Sequence, residues 1–497
     1  MGITTHNFIN TKSIKMKTLL STYINKKGKV GRYLLFLILI NIALSGCKKF
    51  VQVSSPETSI ASTLVYENNN SAASVLTGLY SKMATNSTFA GGPSSIGYLC
   101  GSAADELKSY LTTGNAAVFY TNSYASNYNF FWADLYKQIY VSNAAIQGLS
   151  NSINVSTAIK TQLTGEAKFI RAFSYLYATN LFSDVPLTTT TNYEANNVTR
   201  RAPSTQVYQQ IISDLEEAQG LLSINFMDPS GTTTTERIRP NKGSAAALLA
   251  RVYLYQQKWD SAEVEASSVI SNNLYRLDTL NGVFLKNSKE AIWQLQTITP
   301  GYNTFDGEYY ILTSKPGTGV FAVALSSQLV SAFVPADNRL TKWIASYKDV
   351  SSGQVYYYPF KYKKGAYAPG VAVTEYTMIL RLAEQYLIRA EARANLGNLS
   401  GATGDLNIIR TRAGLANTTA TTKADILSAI YAERQLELFT EWGHRWFDLY
   451  RTGNMNNVMS VVAPQKGGSW SSYKAILPIP LSEIQLNGNL AQNPGYN

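Results

Sequence analysis

A mainly α fold, built of paired antiparallel helices, is predicted by three features of this 497-residue chain. The first is residues 242–270, KGSAAALLARVYLYQQKWDSAEVEASSVI. Leu248, Val252, Tyr255 and Trp259 recur there at the spacing of one helix face. The second is the break at 258–260, which leaves room only for a tight turn, flanked by the small residues Ala245, Ala246, Ala262 and Ala266 that let two helices approach closely. The third is recurrence. Residues 375–415 repeat the pattern, with Leu248, Trp259 and Ala262 falling on Ile388, Leu399 and Ala402. Such hairpins follow the grammar of tetratricopeptide-like units, which bury their apolar faces only by stacking.

Further hairpin helices are expected at 165–181, 207–222 and 132–149. The total is about four pairs. Residues 64–84 carry helical spacing through Val75, Leu79 and Met83. Residues 111–129 are rich in aromatics and Asn without a sustained period, and are expected to form a long surface loop. FSDVPLTT at 182–189 ends a helix at a proline, and Pro203 suits the first turn of the next. EAIWQLQT at 290–297 alternates like a strand, and GYNTFDGEYY at 301–310 reads as a second aromatic loop. Residues 275–372 are therefore expected to be an irregular, loop-rich insert with short strands. Helices resume at 374, and the Pro/Asn-rich tail at 474–497 has no helical period except at 482–486.

Composition narrows the function. Hydrophobic residues make up 45% of the chain and charged residues 15%, a polar but weakly charged surface. The net charge of +11 is concentrated at one end. Lys12, Lys15, Lys17, Lys26, Lys27, Lys29 and Arg32 precede an apolar run, and no acid accompanies them. No basic patch stands out downstream, so nucleic acid is not an expected partner.

The N-terminus points to a compartment. YLLFLILINIAL at 33–44 is too short to span a bilayer, which takes about 20 residues, and has the flanks of a secretory signal. Leu44-Ser45-Gly46-Cys47 resembles the bacterial lipobox, so Cys47 is expected to be lipidated after removal of 1–46. Met16 is a plausible start of that signal. Residues 47–63 then read as a tether and 64–497 as the globular body. Cys100 is left without a disulfide partner and reads as a small buried apolar residue.

Several segments together resemble the SusD/RagB outer-membrane lipoproteins of Bacteroidetes. Arg171-Ala172-Phe173 through Phe182-Ser183-Asp184-Val185-Pro186-Leu187 is similar to the family's RA-aromatic and FGDVPL segment, with Ser183 in place of Gly. Glu433-Arg434, Glu437, Glu441 and Gly443-His444-Arg445-Trp446-Phe447-Asp448-Leu449, continued by Arg451-Thr452-Gly453, resemble its central signature. Leu477-Pro478-Ile479-Pro480, Glu483, Asn487 and Gln492-Asn493-Pro494-Gly495-Tyr496 resemble its ending. The resemblance implies four tetratricopeptide-like pairs with a variable loop face, lipid anchoring at the outer membrane facing the cell exterior, and no catalysis. It implies oligosaccharide capture as a lid on a TonB-dependent transporter of the SusC type. Peptide capture is the alternative within the family.

The sequence chemistry is consistent with binding. Sugar rings present a C–H face that stacks on aromatic rings, while Asn and Asp bond the hydroxyls. Candidate stacking residues are Tyr110, Tyr120, Tyr124, Tyr302, Tyr309 and Tyr310, with Asn122, Asn127 and Asp306 as polar partners. Glu437 and Glu441 form the one carboxylate pair that invites a glycoside hydrolase reading. The interleaved Arg434, His444, Arg445 and Arg451 favour an ion network there instead. No Cys/His cluster, nucleophile elbow or phosphate loop accompanies them, and no cofactor is implied. Loop carboxylates such as Asp306 leave a calcium ion open.

Overall fold

The computed structural model describes residues 65–85, 88–365 and 367–496; the predicted leader, Cys47 and the tether 47–63 lie outside them. The chain enters as α1 (Asn69–Thr85), which buries Ala72, Leu76, Leu79 and Met83 along one stripe. Next come α2 (Ile96–Ala103), β1 (Leu107–Ser109) and α3 (Gly114–Tyr120). The long helices α4 (Trp132–Asn151) and α5 (Thr157–Phe182) follow. A small ribbon, β2 (Val185–Pro186) against β3 (Arg201–Ala202), encloses α6 (Tyr193–Asn196). The central hairpin comes after α7 (Ser204–Leu221) and consists of α8 (Lys242–Tyr255) and α9 (Trp259–Ile270).

Residues 275–372 hold β4 (Ala291–Leu295), α10 (Phe305–Tyr310), β5 (Val323–Leu325), α11 (Ser327–Ala332), α12 (Asn338–Lys342), β6 (Ile344–Lys348) and β7 (Val355–Pro359). Beyond them lie β8 (Thr377–Arg381), α13 (Leu382–Asn395), α14 (Leu399–Arg412), α15 (Lys423–Leu438), α16 (His444–Arg451), α17 (Met455–Gln465) and α18 (Leu481–Leu486).

The helices stack in sequence: α4 on α5, α5 on α7, α7 on α8, α8 on α9, α9 on α13, and α13 on α14 and α15. This is the mainly α, hairpin-based architecture expected. The central hairpin forms, but its turn falls at 256–258, so Trp259 opens α9 and does not continue the face of Leu248, Val252 and Tyr255 on α8. Asn241 caps α8 by accepting from Ser244 N at 3.0 Å, and Ala245, Ala246, Ala262 and Ala266 are all buried. Buried ion pairs set the register between helices. Arg171 on α5 reaches Asp214 on α7 and Asn143 on α4. Arg251 on α8 meets Glu384 on α13 at 2.6 Å, and Arg451 on α16 meets Glu391 on α13 at 2.6 Å.

Residues 275–372 are not a separate body. Their β4 pairs with β8 outside the segment, and their β5 pairs with β1 near the start of the described chain. The alternation seen in 290–297 does form a strand, but every residue of β4 is buried. Gln294 is held inside because its amide bonds Asn287 N and Leu285 O.

Ser183 ends α5 with φ 64° and ψ −119°, a backbone region that side chains disfavour and glycine adopts freely. Ser183→Gly is accordingly expected to stabilise the fold by about 1 kcal/mol. A rise in the midpoint of thermal unfolding checks this; an unchanged or lowered midpoint would show that the serine is not strained there.

Candidate functional site

Both aromatic segments contain short helices that sequence spacing did not reveal. α3 occupies 114–120 within the expected loop, and α10 occupies 305–310, capped by Thr304 Oγ1 accepting from Gly307 N at 3.0 Å. Each is under two turns long, too short for a periodic signal. The 88–95 loop joins them. Asn115 on α3 donates to Ser94 Oγ at 3.3 Å, and Gly92 N donates to Asp306 Oδ1 on α10 at 3.1 Å. Gly92 has φ 81°, and a Cβ there would sit 2.8 Å from the Tyr309 ring. Glycine is therefore what lets the Tyr309 ring approach this loop closely.

Two clusters of tyrosines flank that loop. In the first, Tyr110 packs edge-on to Tyr356 at 5.4 Å between ring centroids, with Lys108 Nζ 5.1 Å from the Tyr110 ring. Tyr120 lies near Tyr110 and rests over Lys466, whose ammonium donates to the carbonyls of Ser102, Ala103 and Ala104. In the second, Tyr302 lies 5.2 Å from Tyr367 and 5.7 Å from Phe305, with Tyr309 beside it. Tyr110, Tyr120, Tyr302 and Tyr309 are half-buried, while Tyr367 is 57% exposed. Tyr356 and Tyr367 belong to this face, although they were not among the sequence candidates. Tyr367 stands alone in a Gly/Pro loop, which is the signal that could have marked it.

Three candidates turn inward. Asn122, Tyr124 and Tyr310 are buried. Asn122 donates to Ala103 O and to the Tyr124 hydroxyl, and Tyr310 stacks on Tyr98 at 5.3 Å. They support the face from behind. Tyr310 lies on the buried side of α10, whereas Asn122 and Tyr124 follow α3 in the chain, where Tyr124 packs edge-on to the buried Phe119 at 5.0 Å. Asp306 also points its carboxylate inward, onto Gly92. Burial pushes its carboxyl up to about 7 despite that hydrogen bond. Asn127 is exposed but sits beside the C-terminal strap, where Leu481 N donates to Ser126 O at 2.6 Å.

The carboxylates of the central signature have no room for a substrate. Glu437 and Glu441 are tied to Arg381 at 2.5 and 2.7 Å, and Glu437 also meets Arg339 at 3.0 Å and Arg412. Lys361 adds a bond to Glu441 at 2.5 Å. The network is thus real, but its cations differ from those expected. Arg434 and Arg451 pair with Asp448, and Arg445 pairs with Asp105. The cavity lined by Glu441 and Asp306 measures about 20 Å³, room for a water and not a sugar. His444 is buried and held neutral: burial lowers its pKa, and the surrounding Arg251 and Arg434 lower it further. Among the described residues no group of three or more His, Cys, Asp or Glu could hold a metal ion. Cys100 is a buried free thiol.

Fold and site together define a tetratricopeptide-like scaffold that presents a tyrosine-rich face, with its carboxylates locked in ion pairs. The chain belongs to the SusD/RagB family: a model described as SusD family matches residues 341–496, and one described as starch-binding associating with outer membrane matches 49–254. Its relatives include SusD-like protein P25 of Formosa agariphila, 24% identical with 94% of this chain and 99% of that protein covered. The starch-binding protein SusD of Bacteroides thetaiotaomicron is 39% identical over 124 residues, covering 24% of this chain and 21% of that one. A solved laminarin-binding SusD-like protein aligns with a TM-score of 0.71 at 25% identity, covering 87% of this chain and 100% of that one. A SusD superfamily protein of Bacteroides vulgatus shares the fold, with a TM-score of 0.74 at 21% identity over 86% and 99% of the two chains. Among the described residues no helix is long and apolar enough to cross a membrane.

Proposed function

We propose that this protein is a lipid-anchored outer-membrane lipoprotein, facing the cell exterior, that captures oligosaccharides on its tyrosine face. It then delivers them unaltered to a SusC-like TonB-dependent transporter. One observation carries the reading. Two clusters of part-exposed tyrosines from separate segments are tied to a single loop through Asn115–Ser94 and Gly92–Asp306. Rings held this way lose little entropy on stacking against a sugar. The starch and laminarin named for its relatives are the first ligands to try.

Affinity electrophoresis against starch, laminarin and a wider polysaccharide panel tests capture. Retardation by at least one glycan, with no reducing ends released overnight, is expected. Migration unaltered by every glycan would overturn the reading, and released reducing ends would make the protein a hydrolase. Anchoring is tested at Cys47. Cys47→Ala is expected to move the protein from the membrane to the soluble fraction, and unchanged membrane retention would remove the lipid anchor from the proposal.

A further inference from the structure

A groove of about 340 Å³ opens between α4, the segment around α6 and the C-terminal α18. It shares no lining residue with the tyrosine face. Its first wall follows from helix spacing. Trp132, Tyr136 and Tyr140 fall on one side of α4. Trp132 stacks on Tyr136 at 4.8 Å between centroids, and the Tyr136 hydroxyl donates to Pro186 O at 2.7 Å. These two rings are thereby immobilised. Tyr140 is 52% exposed, and its hydroxyl makes no hydrogen bond among the described residues.

The facing wall is mixed, with Leu486 and Leu490 set among polar groups. It carries the amides of Asn197 and Asn487 and the carboxylate of Glu483. Asn487 donates to Thr199 O at 2.9 Å, and Asn129 donates to Glu483 at 3.3 Å, so both side chains are oriented before any ligand arrives. No lysine or arginine lines the groove.

This combination selects a chemistry. Asn487 already has both its partners, Thr199 O and Asn489 N, so a purely apolar ligand would leave the Tyr140 hydroxyl and the Asn197 side-chain amide unpaired, at a cost for each polar group it covers. A phosphate, sulfate or uronate would meet the Glu483 carboxylate with no cation to offset it. A neutral saccharide satisfies both walls: its C–H face lies on Tyr140 and its hydroxyls reach the amides and the carboxylate. The volume is at the small end of ordinary ligand sites, about 300–1,000 Å³. That suits a short stretch of chain.

We propose that this groove is a second carbohydrate subsite, specific for a short stretch of neutral oligosaccharide. The inference rests on the groove's own lining and not on the tyrosine face. It is tested by calorimetric titration of the full chain in detergent with maltohexaose, laminarihexaose and a sulfated oligosaccharide. The background is a Tyr302→Ala/Tyr309→Ala variant, which removes the rings of one of the two tyrosine clusters and weakens the face. Residual binding of a neutral oligosaccharide is expected there. Adding Tyr140→Ala is expected to weaken it about tenfold, whereas Tyr140→Phe, which keeps the ring, retains it. The sulfated sugar is expected to give no residual heat. The absence of residual neutral-sugar binding, or residual binding indifferent to Tyr140→Ala in a protein with unchanged circular dichroism, overturns the proposal. If the Tyr302→Ala/Tyr309→Ala protein instead binds like the wild type and Tyr140→Ala abolishes that binding, the face reading fails and the groove stands.

Discussion

Replacing Glu437 with Gln is expected to destabilise the native state by about 3–5 kcal/mol, the loss typical when one partner leaves a buried ion pair. Glu437 is fully buried on α15, with Arg381, Arg339 and Arg412 all directed at its carboxylate. Those arginines come from β8, α12 and α14. Without the anion, guanidinium groups from three elements remain buried against fewer counter-charges, held by Glu290, Glu433, Asp337 and Glu441 alone. The comparison is Glu263→Gln. Glu263 meets Arg393 at 2.7 Å with both side chains partly exposed, and its loss is expected to cost under about 1 kcal/mol. Urea unfolding of the two variants measures the difference. Equal midpoints would show that the buried network contributes no more than a surface pair.

The same variant changes the response to acid. Burial alone would raise the Glu437 pKa, but Arg412, Arg381 and Arg339 outweigh it and hold the carboxyl well below its ordinary value of 4.5. A folded-state pKa below the unfolded one means that the unfolded chain binds the proton first as pH falls. The stabilisation is therefore complete above the unfolded value and is lost progressively below it. The wild type should lose stability through this region more steeply than Glu437→Gln, which has no proton to take up at that position.

Removing a ring from the tyrosine face has the second largest expected effect. Tyr302→Ala and Tyr309→Ala are each expected to weaken the captured oligosaccharide about tenfold, roughly 1.4 kcal/mol, with little change in unfolding temperature. Both rings are partly exposed and lie on segments that the 88–95 loop holds in place. Tyr124→Phe and Tyr310→Phe are the controls. Their hydroxyls are buried behind the face, so affinity should be unaltered even where stability changes. Isothermal titration of the four proteins decides. If the buried pair lowers affinity as much as the exposed pair, the ligand does not lie on this face.

The sequence reading separates by range of interaction. The hairpin at 242–270 was legible because Leu248, Val252 and Tyr255 repeat at helical spacing and two alanine pairs mark the contact, although Trp259, read as part of that face, opens the second helix. Burial of Cys100 followed from its lack of a partner. The end of α5 was legible from Pro186, and the strain at Ser183 explains why the family pattern has glycine there. The aromatic segments were found, but not their orientation. Whether Tyr309 stays partly exposed and Tyr310 turns inward depends on which side of the short α10 meets Tyr98, a contact between residues far apart in the chain.

The acid pair of the signature shows the same limit. Glu437 and Glu441 are spaced as partners on a helix, and nearby arginines supplied an obvious neutralising set. The structure uses Arg381, Arg339, Arg412 and Lys361 instead, brought in from four separate segments. Asp306 is legible as a loop acid, yet only the approach of Gly92 turns it away from solvent.

By itself, then, the sequence determined the helical repeat, the family and the expectation of a lipid-modified Cys47, because each is written in residues within about ten positions of one another or in a pattern along the chain. Tertiary structure alone decided which tyrosines face outward, which cations hold Glu437, and that α4, α6 and α18 enclose a groove. Those outcomes depend on contacts between segments tens to hundreds of residues apart, where burial and electrostatics act across space and leave no local pattern in the chain.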